Sequence, residues 1–379
     1  MTGPPSAAPP RGLDDVIALQ TSVCRLSASD GRLGYRGYDV RELGERSTFE
    51  ETAFLLLRGE LPTGAELREF TNGLRSRHKL SPAILRALKQ VPTQADPMSA
   101  VRVGLAVLAA EEGDSGPAAE TGLKQAIRLL ALAPTMVAAV ARLRQGERPV
   151  LPRKSLGFAG NFLAMLPGTD TSAEAVRALD AALILRADNE LNPSTFAARV
   201  TAATGADMFG SILAAWSALS GPRHGSHARN VAAVLDEIGN PDAVEPWVTA
   251  RMAAGSRIAG FGHQVFRGED PRAGFLRGLA EAQCARAGRT PLMETAKALE
   301  ACVVERSGRY PIVDFYLAPL YRGVGIPDEL FTAVFAVSRM PGWAAHVLEQ
   351  YQDERLLRPR AEYIGAVDRP YRPIRSRRT

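Results

Sequence analysis

Three short segments carry the side chains whose types and spacing could do chemistry. The first is Ser220-Gly221-Pro222-Arg223-His224-Gly225-Ser226-His227, set between one small-residue helical pattern that ends at Leu219 and another that runs from Ala228 to Ile238. Gly221-Pro222 must stop the first helix, because proline lacks an amide donor and disfavours helical geometry in the residue before it. An imidazole is thus delivered on a tight loop, where reactive groups and simple helix caps both occur. The second segment, Gly260-Phe261-Gly262-His263, repeats the glycine-flanked imidazole and is followed by Gln264-Val265-Phe266-Arg267-Gly268-Glu269-Asp270-Pro271-Arg272. Gly260 and Gly262 would let a ligand approach the backbone, and Arg267 and Arg272 offer forks suited to carboxylates and phosphates. The same glycines would serve equally as a helix stop. In the third, Arg309-Tyr310-Pro311-Ile312-Val313-Asp314-Phe315-Tyr316, one carboxylate stands alone in an apolar run. Burial there would raise its pKa and make it a base, or it caps the helix that follows. Two loop histidines, one isolated Asp and several arginines describe proton abstraction next to a carbonyl, with an anionic partner substrate.

The other histidines read differently. His78 lies in a basic turn and reads as solvated, while His346, between Ala345 and Val347 on a helical pattern, reads as a core or interface residue. His224 and His227 have the spacing of a metal couple, but no third ligand recurs nearby, so no metal is expected.

The elements that must position these groups are almost all helical. Apolar positions recur at three and four residues over Met98 to Glu112, Glu120 to Arg144, Ser172 to Ala187, Ser194 to Leu219, His227 to Ile238, Ala243 to Ala254, Arg272 to Ala287, Pro291 to Ser307 and Asp328 to Gln350. Ser47-Thr48-Phe49-Glu50 reads as a capping box that opens a helix from Phe49 to Arg58, ended by Gly59. Loose alternation from Val16 to Tyr38 around Asp30-Gly31 predicts a short hairpin, the only sheet expected. Nothing alternates strand with helix after residue 40, which argues against a parallel sheet. No internal repeat suggests a solenoid.

Composition narrows the function classes. A chain of 379 residues has room for one large domain, with or without a smaller one. No run of about eighteen apolar residues appears, so no membrane partner is expected. Residues 1–12, rich in Pro, Ala and Gly, read as a disordered tail and not as a secretory signal. Cys24, Cys284 and Cys302 lack metal or disulfide spacing and read as reduced thiols of a cytoplasmic protein. The net charge of +5 is mild. Seven arginines between Arg358 and Thr379 could bind nucleic acid, but no aromatic interleaving or reader motif accompanies them, and small anions explain them as well.

Several segments together resemble the citrate synthase family. They are Tyr35-Arg36-Gly37-Tyr38-Asp39, residues 49–62, Asn192-Pro193-Ser194-Thr195-Phe196-Ala197-Ala198-Arg199-Val200, Gly221-Pro222-Arg223-His224-Gly225, Gly260-Phe261-Gly262-His263, Asp270-Pro271-Arg272, Tyr310-Pro311-Ile312-Val313-Asp314-Phe315-Tyr316, Ser338-Arg339-Met340-Pro341-Gly342-Trp343 and Arg358-Pro359-Arg360-Ala361-Glu362-Tyr363. They occur in family order from about residue 13 to about residue 375. The resemblance implies an all-α, two-domain fold with a short N-terminal β-hairpin: a large domain of 13–221 with 326–379, and a small one of 222–325. It implies that His224 hydrogen-bonds the enol of an acyl-CoA thioester, that Asp314 removes the α-proton, and that His263 polarises the ketone of oxaloacetate. Arg272 and Arg339 would hold oxaloacetate carboxylates, with Arg358 supplied across a homodimer. Arg267, with Gly260 and Gly262 near it, would meet coenzyme A, a co-substrate and not a tightly bound cofactor.

Three departures stand near these positions. The family usually has a histidine after Ala-Asp, where this chain has Asn189, which donates a neutral hydrogen bond but carries no charge. Ser226-His227-Ala228-Arg229 replaces a more usual Gly-Ala-Asn-Glu, and Leu317-Ala318 replaces Ser-Gly. The expected activity is citrate formation from acetyl-CoA, oxaloacetate and water. The same residues would serve 2-methylcitrate synthesis from propionyl-CoA, and a catalytically weak protein that binds CoA or a keto acid also fits the departures.

Overall fold

A computed structural model describes residues 11–13, 16–27, 31–113, 116–263, 265–266 and 268–377. The chain divides into two units, Thr21–Leu356 and the two terminal segments that flank it, to Gln20 and from Leu357. In the larger unit three short antiparallel strands come first: β1 (Cys24–Ser27), β2 (Arg32–Tyr35) and β3 (Tyr38–Asp39). The hairpin foreseen at Asp30-Gly31 is present as Ser27 paired with Arg32, although Asp30 lies outside the described residues. A second hairpin follows at once. Tyr35 pairs with Tyr38 across Arg36 and Gly37, both in the left-handed region (φ 49° and 93°), the geometry of a two-residue turn that matches strand twist.

The rest is helical. Helices α1 (Val40–Arg46), α2 (Phe49–Arg58), α3 (Gly64–Arg77), α4 (Pro82–Gln90), α5 (Pro97–Glu112), α6 (Ala119–Arg144), α7 (Phe158–Met165) and α8 (Ala173–Leu185) lead to the site. Helices α9 (Pro193–Ala202), α10 (Met208–Leu219), α11 (His227–Ile238), α12 (Val244–Ala253), α13 (Ala273–Arg286), α14 (Thr290–Ser307), α15 (Val313–Gly323) and α16 (Phe331–Asp353) complete the unit. The single sheet and the dominance of helix match the all-α expectation.

Local chemistry sets the boundaries, and in two places differently from the sequence reading. Ser47 does not cap α2. Its amide closes α1 on the carbonyl of Leu43, and Thr48 is the cap, accepting from the amide of Glu51 at 3.2 Å. Glu50, foreseen as the partner of Ser47, instead accepts from the Phe158 amide at 2.7 Å. The capping box lies at Thr63 and Glu66, each side chain bonding the other's backbone amide. The pattern read as one helix from Ser194 to Leu219 is two, because Gly205 turns the chain at φ 85° and Asp207 then caps α10 through the Gly210 amide at 2.8 Å.

Helix α16 is the axis of the packing. From Phe331 to Leu348 every residue is buried, as expected of a helix apolar on all sides, and it touches α2, α5, α6, α8, α9, α10 and α11. Helix α6 is, by length and composition, apolar enough to cross a membrane, a property that Lys124, Arg128 and other polar residues hid from a count of consecutive apolar residues. It is mostly buried within this unit, against α16, α5 and α3. Three single-point arrangements close the core: Trp216 donates to the Met98 carbonyl, Tyr351 to that of Ala206, and Ser338 to that of Leu183. In the terminal unit, the Leu357–Thr379 segment exposes Tyr363, Ile364, Val367, Tyr371 and Ile374.

Gly342 marks where α16 meets the end of α8 most tightly. A side chain there would press on the Ala187 carbonyl oxygen and the Asp188 carboxylate. Gly342→Ala should therefore destabilise the protein by about 1–3 kcal/mol, the usual size of overpacking. Denaturant unfolding of both proteins checks this, and an unchanged midpoint would show that the interface yields.

Candidate active site

Asp314 lies in the first turn of α15, whose amide end favours an anion. It is only 5% exposed, and its Oδ1 receives Arg186 Nη1 at 2.7 Å. Burial pushes its carboxyl up, as the sequence suggested, but Arg186, with His227 and Arg272, outweighs burial and holds the pKa below the ordinary carboxylate value. The expectation of a raised pKa is thus corrected by an arginine from the far end of α8, 128 residues away in sequence. Asp314 is neither isolated nor a helix cap.

His224 ends the loop after α10. Its Nε2 lies 2.8 Å from Ser194 Oγ, which also accepts from Trp343 Nε1 at 3.0 Å. Burial, then Arg339, Arg186 and His227, lower its pKa to about 3. His263 is held from behind, since its Nδ1 accepts the amides of Val265 (3.0 Å) and Phe266 (3.1 Å). That contact fixes the tautomer and leaves Nε2–H as a donor. Burial and Arg272 lower the His263 pKa to about 4, against opposing pulls from Asp270 and Asp314. Both rings are therefore neutral donors or acceptors near neutral pH, and Asp314 acts electrostatically on each.

The backbone that carries His263 is fixed by glycine. Phe261 bridges to Pro311, Ile312 donates to the Gly260 carbonyl at 2.9 Å, and Gly262 donates to that of Tyr310 at 3.0 Å. These bonds tie the His263 loop to the start of α15. Gly260 and Gly262 both adopt left-handed φ, at 88° and 81°. A Cβ on Gly260 would meet Val231 at 2.7 Å and Phe315 at 2.8 Å, so the close approach it allows is filled by protein and not by a ligand. Gly262 is exposed with open space around it, apart from Arg309 at 3.6 Å. Arg267 lies outside the described residues.

Of the arginines, Arg272 is wholly buried and gripped by Asp270, with Nε to Oδ1 and Nη2 to Oδ2 both at 2.8 Å. Asp270 also accepts the Val313 amide at 2.9 Å, which seats the first residue of α15. Arg272 Nη1 reaches Asn189 Oδ1 at 3.4 Å, bringing Asn189 into the same cluster. Arg339 donates Nε to the Arg186 carbonyl at 2.7 Å, while its Nη1 is buried with no partner among the described residues. Burial, then Arg186 among its opposing neighbours, brings Arg339 down to about 10. Arg358 is exposed and belongs to the terminal unit.

Beneath the cluster runs a buried polar floor. His346, foreseen as a core histidine, accepts from Arg199 Nη1 at its Nδ1 (3.1 Å), which turns its Nε2–H toward Asp188 Oδ1 at 3.4 Å. Arg199 also reaches Glu349, which binds Ser22 just before β1. His78 closes α3 half-buried, so it is less solvated than expected. Leu317 and Ala318 are fully buried in the core, and Ser226 is half-buried before α11.

The structure thus gathers His224, His263, Asp314, Asn189, Arg272 and Arg339 around one centre. It adds Arg186, Ser194, Asp270 and Phe335, which the sequence reading had not picked out. Arg186 gave a signal as a lone charge closing the apolar run Leu183-Ile184-Leu185, and Ser194 and Asp270 stand within the family-like segments, whereas Phe335 gave none. An ionised carboxylate, two neutral imidazoles and buried guanidinium donors together can remove a weakly acidic proton and bind the carboxylates of a small anion.

Comparison with known proteins agrees. Residues 12–360 match the family described as citrate synthase, C-terminal domain. Citrate synthase 2 of Bacillus subtilis is 40% identical over 97% of this chain and 99% of its own. A 2-methylcitrate synthase of Mycobacterium tuberculosis is 37% identical over 95% and 91%. The structure of citrate synthase from Thermoplasma acidophilum, a ternary complex with carboxymethyl coenzyme A and oxaloacetate, superposes with a TM-score of 0.92 at 33% identity, covering 97% of this chain and 98% of that one. This chain belongs to the citrate synthase family.

Proposed function

We propose that the protein condenses an acyl-CoA thioester with oxaloacetate, forming citrate from acetyl-CoA, oxaloacetate and water. The observation that carries this reading is the buried constellation: Asp314 paired to Arg186 at 2.7 Å, with His224 and His263 each held through a ring nitrogen and kept neutral by burial beside arginines. Asp314 takes the α-proton of the thioester. A thioester is a far weaker acid than a carboxylic acid, so the enol oxygen must receive a hydrogen bond as the proton leaves. His224 supplies it. The Ser194 hydroxyl has one proton for two acceptors, Asn192 Oδ1 at 2.7 Å and His224 Nε2 at 2.8 Å, and the arrangement that serves the reaction is the one in which it donates to His224 Nε2 and leaves Nδ1–H for the enol. His263 Nε2–H polarises the ketone and hydrogen-bonds the alkoxide that forms with the new carbon–carbon bond, and the proton that Asp314 removed balances the one the alkoxide finally takes up. Water then hydrolyses the citryl thioester.

Asn189, Arg272 and Arg339 take the keto-acid carboxylates. Coenzyme A arrives as co-substrate, met by Arg267 and Gly262. Residues 222–325 act as a small domain and 13–221 with 326–379 as a large one. Helices α11 to α15 pack mainly on one another, and they carry His263, Arg272 and Asp314, with His224 just before α11, whereas Asn189, Ser194 and Arg339 stand on the other side. Closure of one on the other would exclude water during condensation. The protein works as a cytoplasmic homodimer. The exposed apolar side chains between Tyr363 and Ile374 suit a partner surface, Arg358 enters the partner's site, and the three free thiols suit a reducing compartment. Propionyl-CoA is the second reading, favoured by the relative named 2-methylcitrate synthase.

Release of CoA thiol from acetyl-CoA or propionyl-CoA, with and without oxaloacetate, tests the reaction and ranks the two thioesters. No oxaloacetate-dependent release from either would end the condensing reading. Asp314→Asn should cut the rate at least ~10²-fold, the lower range for loss of general base catalysis, and a full rate would assign the base elsewhere. Asn189→His adds a donor able to carry charge, so the oxaloacetate concentration for half-maximal rate should fall. An unchanged value would show that Asn189 does not face the keto acid.

The pH dependence follows from the neutral rings. Because His224 and His263 bind protons only near pH 3 and 4, neither should produce a limb in kcat/KM for oxaloacetate across neutral pH. The rate should fall only on approach to pH 4, and an acid limb at the ordinary imidazole value of about 6.5 would contradict the burial of both rings. The unfolded chain protonates these rings first, so they also withdraw stability as pH falls from about 6.5 toward 4.

A further inference from the structure

Arg186 occupies an unusual position for a residue with no assigned role. It is 2% exposed, and its guanidinium lies 3.3 Å from the centroid of the Phe335 ring, where Arg339 also stacks at 4.8 Å. Two like charges are thus buried against one aromatic ring, with the Arg186 carbonyl fixed by Arg339 Nε. Arg186 Nη1 is committed to Asp314 at 2.7 Å, but among the described residues Arg186 Nε is buried without a partner, as is Arg339 Nη1. Buried donors without acceptors are costly, and guanidinium donors most of all. Arg272 has only Nη1, in long contacts to Leu185 and Asn189, left to offer an anion, because its Nε and Nη2 are both taken by Asp270. The unspent donors of the cluster therefore belong to Arg186 and Arg339, and one carboxylate between them would satisfy both and relieve their repulsion.

We propose that Arg186 is shared between the base and the keto acid: without substrate it clamps Asp314, and a keto-acid carboxylate draws the guanidinium away and frees Asp314 for the thioester. Arg186 is then both a substrate-binding residue and a positioning residue for the base. The inference rests on the reading of Asp314 as base.

Calorimetric titration of the full-length protein with oxaloacetate alone tests it in the wild type, Arg186→Gln, Arg186→Lys, Asp314→Asn and the double variant Asp314→Asn with Arg186→Gln. Arg186→Gln should weaken binding by about tenfold or more, the scale of one charged hydrogen bond, with Arg186→Lys in between because it keeps charge but loses the fork. Asp314→Asn should bind oxaloacetate several-fold more tightly, because the competing carboxylate is gone, and that gain should vanish in the double variant. Unaltered binding in Arg186→Gln, no gain in Asp314→Asn, or a gain that survives in the double variant each overturns sharing. Circular dichroism confirms folding, and if Arg186→Gln fails to fold, the same comparison is made with Arg186→Lys. Turnover separates the two readings. A fully active Asp314→Asn refutes the base whatever the affinities, whereas an inactive Asp314→Asn with wild-type affinity keeps the base and refutes sharing.

Discussion

A carboxylate removed from water must be paired to stay charged, and that constraint organises this protein around the ion pair of Arg186 with Asp314. Left alone at 5% exposure, Asp314 would be protonated and useless as a base. The pair keeps it ionised but also occupies it. The same logic repeats nearby: Asp270 holds Arg272, and Asp188 faces His346 while Arg339 stands close. Buried anions and cations nearly balance within the site, and the donors left over are the ones a dicarboxylate could use.

The imidazoles are arranged by the opposite constraint. Burial beside arginines strips protons from His224 and His263, so each works as a neutral hydrogen-bond partner and not as a cation. Neutral rings still need a fixed tautomer to act as donors. His263 obtains one from two backbone amides, while His224 is held in place by a serine at the start of α9 that also bonds Asn192 and Trp343. The orientation of both depends on backbone and helix packing, which side-chain flexibility alone could not hold.

Helix α16 links these parts. Phe335 supplies the ring under two guanidinium groups, Arg339 one of those groups, Trp343 the donor to Ser194, and His346 the contact to Asp188. These residues recur at four, four and three positions, so they share one face of the helix. Gly342 lets that helix approach the turn after α8 closely enough for the contacts to form. Changes in the packing of α16 should therefore reach the chemistry through orientation.

The sequence by itself determined the fold class and most helix positions and marked His224, His263 and Asp314 as a candidate trio, because helical periodicity, proline and glycine breaks, and glycine-flanked or isolated polar residues are local features of the chain. Its errors were local as well: a cap placed one residue early at Ser47, and one helix read across Gly205 and Asp207, where turn chemistry overrode an apolar pattern. What only the tertiary structure decided was the state of each reactive group. The partner of Asp314 is 128 residues away, that of His224 is 30 away, and Gly260 turned out to face Val231 and Phe315. A side chain's charge depends on burial and on which ions fold against it, and neither is written in its neighbours along the chain.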